Sequence, residues 1–133
     1  MKWLIGNTEH NFPKLNYNQA IEIVKKSMPD DKKGTLFVFV DNNCTTCAKL
    51  VAGSLTELHE TYKEYFDIVT VDQETAPFPP NTIPVLYAYL PNGTEVVKLL
   101  RNGNPPKEVI EQELIKFKQI VEEKKTVKEV WPS

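Results

Sequence analysis

Two cysteines, two histidines and five glycines in 133 residues exclude more than they permit. Two cysteines cannot build the multi-bridged framework of a small secreted protein, nor a four-cysteine zinc site within one chain. Sixteen basic against eighteen acidic side chains leave a formal charge of -2, so no overall attraction to nucleic acid or to an anionic membrane surface is expected. Long apolar runs are missing too. Leu36 to Val40 stops at Asp41 and Val85 to Leu90 at Pro91, far short of the roughly 20 residues that span a bilayer. The apolar run near the N-terminus, Trp3-Leu4-Ile5, is too short for the core of a secretory signal. What remains is a cytoplasmic globular protein of one domain, residues 1–133, expected to be a monomer.

Strand and helix signals alternate along the chain. Trp3-Leu4-Ile5 predicts a short strand, and a polar stretch follows as far as Leu15. Asn16 or Asn18 can then cap a helix, with Gln19 reaching back and Tyr17, Ile21, Val24 and Met28 at helical intervals before Pro29. Thr35 to Val40 is β-branched and aromatic without polar alternation, as a central strand buried on both faces requires. A helix starts near Cys44, with Cys47, Val51, Leu55, Leu58 and Tyr62 on one stripe, and Ile68 to Val71 is a second buried strand. These three elements read as a strand, a crossover helix and a parallel strand.

The second half begins with a break. Pro77, Pro79, Pro80 and Pro84 preclude a regular helix between Pro77 and Ile83. Val85 to Leu90, the turn Pro91-Asn92-Gly93 and Thr94 to Leu100 predict an antiparallel hairpin. Pro105 and Pro106 suit the first turn of a closing helix whose stripe is Ile110, Leu114, Phe117 and Val121. The core is expected to span about residues 17–121, with 122–133 a charged extension in which Trp131 is either a docked anchor, the favoured reading, or part of a frayed tail.

The two cysteines are Cys44 and Cys47. Random placement would put a pair three apart only about 1.5% of the time, which is suggestive on its own. Their setting adds to it. Free backbone N–H groups at a helix start favour a thiolate, and a spacing of three puts the second sulfur one turn above the first, within disulfide reach. One sulfur can then attack a disulfide and the other resolve the mixed intermediate. The plainer alternative, a pair of small buried hydrophobes, suits Cys47 on its stripe. It does not suit Cys44, set among Asp41, Asn42, Asn43, Thr45 and Thr46. A metal site would need His10 and His59 or a second subunit. His59 lies about 18 Å along the helix from the pair, and no metal is expected.

Taken together, Cys44-Thr45-Thr46-Cys47 after a buried strand, Ile83-Pro84 before Val85, and the Asn92-Gly93 hairpin resemble the thioredoxin superfamily over nearly the whole chain. The resemblance implies an α/β fold: a three-layer α/β/α sandwich on a central mixed sheet of four to five strands. It implies a thiol–disulfide oxidoreductase in which Cys44 attacks and Cys47 resolves, while Thr45, Thr46, Ile83 and Pro84 meet the substrate. Pro84 would be cis, with the backbone of Ile83 offered to the client. Disulfide-containing client proteins, and a flavin-dependent NADPH reductase as electron donor, would be the partners, and the Cys44–Cys47 disulfide would serve in place of a cofactor. The chain departs from thioredoxins by having Thr45-Thr46 instead of Gly-Pro between the cysteines and Asn43 instead of tryptophan before them. Val38 stands at the position of their buried carboxylate. Glutaredoxins share a motif similar to Thr82-Ile83-Pro84 but lack so long a segment before the central strand. These departures keep a second function open, a redox-inactive binding or adaptor module using the groove around Ile83-Pro84, with Phe78 nearby.

Overall fold

The computed structural model describes residues 2–27, 34–75, 84–89, 97–102, 106–123 and 127–130, the side chains of 24–27, 97–102, 121, 127 and 128 excepted. Strands β1 (Trp3–Ile5) and β2 (Thr8–His10) form a small antiparallel sheet. Then come β3 (Lys14–Leu15), α1 (Tyr17–Ser27), β4 (Gly34–Val40) and α2 (Thr45–Lys49). A π-helical turn, Leu50–Ser54, joins α2 to α3 (Leu55–Tyr62), and β5 (Phe66–Asp72) follows. After a 3-10 turn at Gln73–Thr75, the remaining elements are β6 (Val85–Tyr89), β7 (Val97–Asn102), α4 (Lys107–Glu123) and α5 (Val127–Val130).

Five strands make the main sheet in the order β3-β5-β4-β6-β7, with β3 and β4 parallel to β5, and β6 antiparallel to both β4 and β7. As expected for the central strand, all seven residues of β4 are buried. Its alternation divides the interior in two. Leu36, Val38 and Val40 join the core shared with Cys47, Val51, Leu55, Leu58, Ile110, Leu114 and Phe117. Phe37 and Phe39 face the other way, to Ala20, Val69, Val71 and Val85, with Tyr17 and Ile21 of α1 against them. A sheet with apolar side chains on both faces and helices packed over each is the expected three-layer α/β/α sandwich.

The helix signals are met by local bonds. Asn16 caps α1 by accepting from the Gln19 N–H at 2.8 Å, while the Gln19 side-chain oxygen accepts the Asn16 N–H at 3.1 Å, a reciprocal pair that satisfies two donors. The carbonyl of Pro106 receives the N–H groups of Val109 and Ile110 at the start of α4. In α4 the apolar stripe is Ile110, Leu114, Phe117 and Ile120; the side chain of Val121 is outside the described residues. α3 and α4 are clasped by Tyr62, whose hydroxyl donates to Glu111 at 3.0 Å, and by Lys107 paired with Glu57 at 2.8 Å.

Three features differ from the sequence reading. β1 does not begin the main sheet: Gly6, at φ 61, reverses the chain at once, and β1 pairs with β2 instead. The edge strand is β3, two residues within the supposed polar stretch. The core also reaches beyond residues 17–121, because Ile5 and Phe12 before it and Val130 after it are buried in the cluster around Cys47. The turn at Pro91-Asn92-Gly93, the proline-rich segment through Ile83, and Trp131 lie outside the described residues. Among the described residues, no helix is long and apolar enough to cross a membrane.

Candidate functional site

β4 ends at Val40, and a tight turn delivers the chain to the next helix. The Asp41 carbonyl accepts the Cys44 N–H at 3.0 Å, and one Asp41 carboxylate oxygen accepts the Asn43 N–H at 2.8 Å. The other oxygen receives the Gln73 amide at 3.3 Å. These bonds, the Asn43 N–H foremost, hold the Asp41 carboxyl below the usual carboxylate range, with help from the positive charge of Lys14. Aspartate suits this turn because its short side chain reaches the backbone two residues on.

Cys44 caps α2 in an extended conformation, φ -94 and ψ 93. Its carbonyl accepts the Ala48 N–H at 3.2 Å. Its sulfur accepts the Cys47 N–H at 3.1 Å, taking up one of the unpaired donors at the helix start. The two cysteines form a disulfide with Cα atoms 5.2 Å apart. They differ sharply in surroundings. Cys47 is 0% exposed within the main core, whereas Cys44 is half-buried at its margin. Thr45 is exposed and Thr46 half-buried beside it.

Behind the pair the environment is apolar. Val38 is fully buried in the cluster that holds Cys47, and Ile68 lies in it as well. Pro84 is buried and directly precedes Val85, which is paired with Phe39 next to the last residue of β4. The turn, the disulfide and Pro84 thus gather at one end of the main sheet. Ile83 lies outside the described residues.

The histidines sit among other partners than the sulfurs. His10 is 4% exposed; its Nδ1 accepts the Phe12 N–H at 3.2 Å, and burial, with the charge of Lys14, lowers its pKa from the ordinary 6.5. His59 meets Phe12 and Phe66 edge-on, with centroids 5.2 and 5.9 Å apart. Among the described residues no cluster of His, Cys, Asp or Glu could hold a metal ion. A cleft of about 370 Å³, lined by Phe12, Ile23, Thr35, His59 and Asp67 among others, opens toward the starts of β4 and β5, the opposite end from Cys44.

The sheet order, the crossover and the placement of a disulfide between β4 and its helix can be set beside known structures. The crystal structure of chloroplastic thioredoxin z superposes with a TM-score of 0.62 at 17% identity, over 80% of this chain and 94% of that one. This chain has a thioredoxin-like fold. The sequence matches no family model and no curated protein, so the likeness resides in architecture.

With that fold, the Cys-x-x-Cys spacing and the disulfide it forms lie where the sequence reading expected a redox pair. Sequence reading missed other contributors to the site. Gln73 holds Asp41 from the far end of β5, Asn42 receives the Lys14 ammonium, and Gly6 packs against the Asn42 backbone. Only the Asp-Asn-Asn run, a turn-forming composition, carried any signal of this arrangement.

Proposed function

We propose that the chain is a thiol–disulfide oxidoreductase that reduces or exchanges protein disulfides through Cys44 and Cys47. The observation that carries this reading is the asymmetry of the pair: a half-buried cysteine whose sulfur already accepts a helix N–H, bonded to a wholly buried one. The less buried member of such a pair is the one a client can reach, and the N–H donor stabilises its thiolate. Cys44 as thiolate attacks one sulfur of a client disulfide, and the client's other sulfur leaves as a thiolate. Cys47 then attacks the Cys44 sulfur, the second client sulfur leaves, and the Cys44–Cys47 disulfide closes. Two electrons have passed to the client, with the two protons that both cysteines give up.

Thr45 and Thr46 border the attacking sulfur, and a client segment would lie against Pro84, which precedes β6 at the same end of the sheet, with the backbone of Ile83 offered to it. With Val38 where a carboxylate would accept the Cys47 proton, that proton leaves through water on the Cys44 side. The reading needs no bound cofactor, since the sulfur pair carries the electrons. Reduction back to the dithiol would fall to a flavin-dependent NADPH reductase in a cytoplasmic setting.

Alkylation of reduced protein tests the assignment. Cys44 is expected to react with an apparent pKa below about 8.5, Cys44→Ser to abolish reduction of a protein disulfide, and Cys47→Ser to trap clients as mixed disulfides. An ordinary thiol pKa with activity retained in Cys44→Ser would sink it. Full partner binding by the Cys44→Ser/Cys47→Ser protein, with no disulfide turnover by the unmodified chain, would favour an adaptor that uses the groove around Pro84.

A further inference from the structure

A lysine that the dithiol chemistry above leaves unused ties the N-terminal hairpin to the cysteine turn. Lys14, on β3, donates from its ammonium to the Leu4 carbonyl of β1 at 3.0 Å and to the side-chain oxygen of Asn42. Asn42 is the second residue of the turn that begins at Asp41 and hands the chain to Cys44. The same amide oxygen faces the Gly6 N–H at a long 3.5 Å. Gly6 itself is so close that a Cβ there would lie 2.8 Å from the Asn42 carbonyl oxygen. β3, through Lys14, and the β1–β2 turn, through Gly6, therefore meet at one side chain, two residues before Cys44.

The charges around this knot point the same way. Asp41 is held ionised by the Asn43 N–H, by Gln73 and by Lys14. A carboxylate three residues before Cys44 opposes the formation of a second negative charge on that sulfur. Lys14 is the cation that offsets it, and its other titratable neighbour, His10, is kept neutral by burial and by the same lysine. An ammonium bound to two neutral oxygens beside an ionised carboxylate keeps its field directed at the turn, and hydrogen bonds from a charged donor are the stronger kind.

We propose that Lys14 is a positioning residue for the dithiol: through Asn42 it holds the Asp41–Cys44 turn in the form that aims the Cys47 N–H at the Cys44 sulfur, while its charge balances Asp41. The inference rests on the oxidoreductase reading and adds to it a partner from β3, the edge strand of the main sheet.

The test is the pH profile of Cys44 alkylation in reduced full-length protein, measured beside urea denaturation. Lys14→Met is expected to move the Cys44 midpoint up by about half a pH unit, slowing alkylation at neutral pH roughly three-fold. Lys14→Arg, which keeps charge and donors, should restore the parent profile. Asn42→Ala should move the midpoint the same way, and the Lys14→Met/Asn42→Ala pair by less than the sum of the two. Should Lys14→Met fail to fold, Asn42→Ala at its exposed turn position carries the comparison. A lowered urea midpoint with an unmoved Cys44 profile in both variants would reduce Lys14 to a structural tie and overturn the proposal. A parent protein whose Cys44 titrates as an ordinary thiol, without disulfide exchange, would instead overturn the oxidoreductase reading.

Discussion

Cys44 and Cys47 are the same residue type three positions apart, and their different surroundings set their roles. The polar neighbours of Cys44 and the apolar stripe through Cys47 were both legible in the sequence, because each depends on residues within one helical turn. The role of His10 was not legible. It follows from the docking of β2, which buries the ring and commits Nδ1 to the Phe12 N–H, so that the neutral ring carries its proton on Nε2, an atom without a partner among the described residues. Protonation would put a second N–H against the Phe12 donor. Because burial lowers the folded-state pKa below 6.5, the neutral ring's contribution to stability is complete above that value and is lost as the pH falls through the depressed one. The urea midpoint is therefore expected to fall when the pH is taken from about 7.5 to about 5.5. His10→Asn, whose amide oxygen can accept the same N–H, should show a smaller fall.

The helix after the cysteines carries the predicted stripe, with Cys47, Val51, Leu55 and Leu58 buried and Tyr62 half-buried, yet it is not regular. At Leu50–Ser54 it widens to a π-turn, in which the Leu55 N–H reaches back to the Leu50 carbonyl and the Thr56 hydroxyl donates to the Val51 carbonyl at 2.8 Å. Nothing in the periodicity announced this, since one widened turn leaves the apolar positions on the same face. Gly53 lies in that turn with nothing within 4 Å of a would-be Cβ. Gly53→Ala is thus expected to raise stability by about 0.5–1 kcal/mol through the lost freedom of the unfolded chain. Gly6→Ala should do the reverse, costing about 1–3 kcal/mol, because Gly6 sits at φ 61 against the Asn42 carbonyl. Urea denaturation of the two variants distinguishes a permissive glycine from a required one. The same contrast explains why β2 was not legible although the Trp3–Ile5 strand was: Thr8–His10 offers no alternation to read, and only a docked turn reveals what Gly6 is for.

The order β3-β5-β4-β6-β7 places the two longest buried strands side by side and lets helices cover both faces. β4, β5 and the β6–β7 pairing were legible because runs of β-branched and aromatic residues mark them, and α4 because its stripe is regular. The way α4 closes the sheet was not. Phe117 is 1% exposed and lies over Gly34, at the start of β4, where a Cβ would fall inside its ring. Gly34→Ala is expected to cost about 2 kcal/mol or more by overpacking. Phe117→Leu should recover part of that loss in the double variant, a coupling between chain positions far apart that a urea-based mutant cycle measures. The dithiol, at the other end of β4, should keep its alkylation profile throughout.

From residue order alone, the chain carries a strand, a helix that starts at a cysteine pair, a parallel strand and a hairpin, since such signals arise between residues a few positions apart. The same order puts Val38 in a buried strand, but does not show that Val38 and Cys47 share one buried cluster. Packing settles that, along with the burial of Ile5, Phe12 and Val130 in the same core. Packing likewise sends Lys14 to Asn42 across 28 positions and Gly6 to the same side chain across 36. Contacts of that separation leave no period or spacing in the chain. They depend on which apolar faces find each other, and here they bring to the cysteine turn a hairpin whose second strand reads only as polar loop.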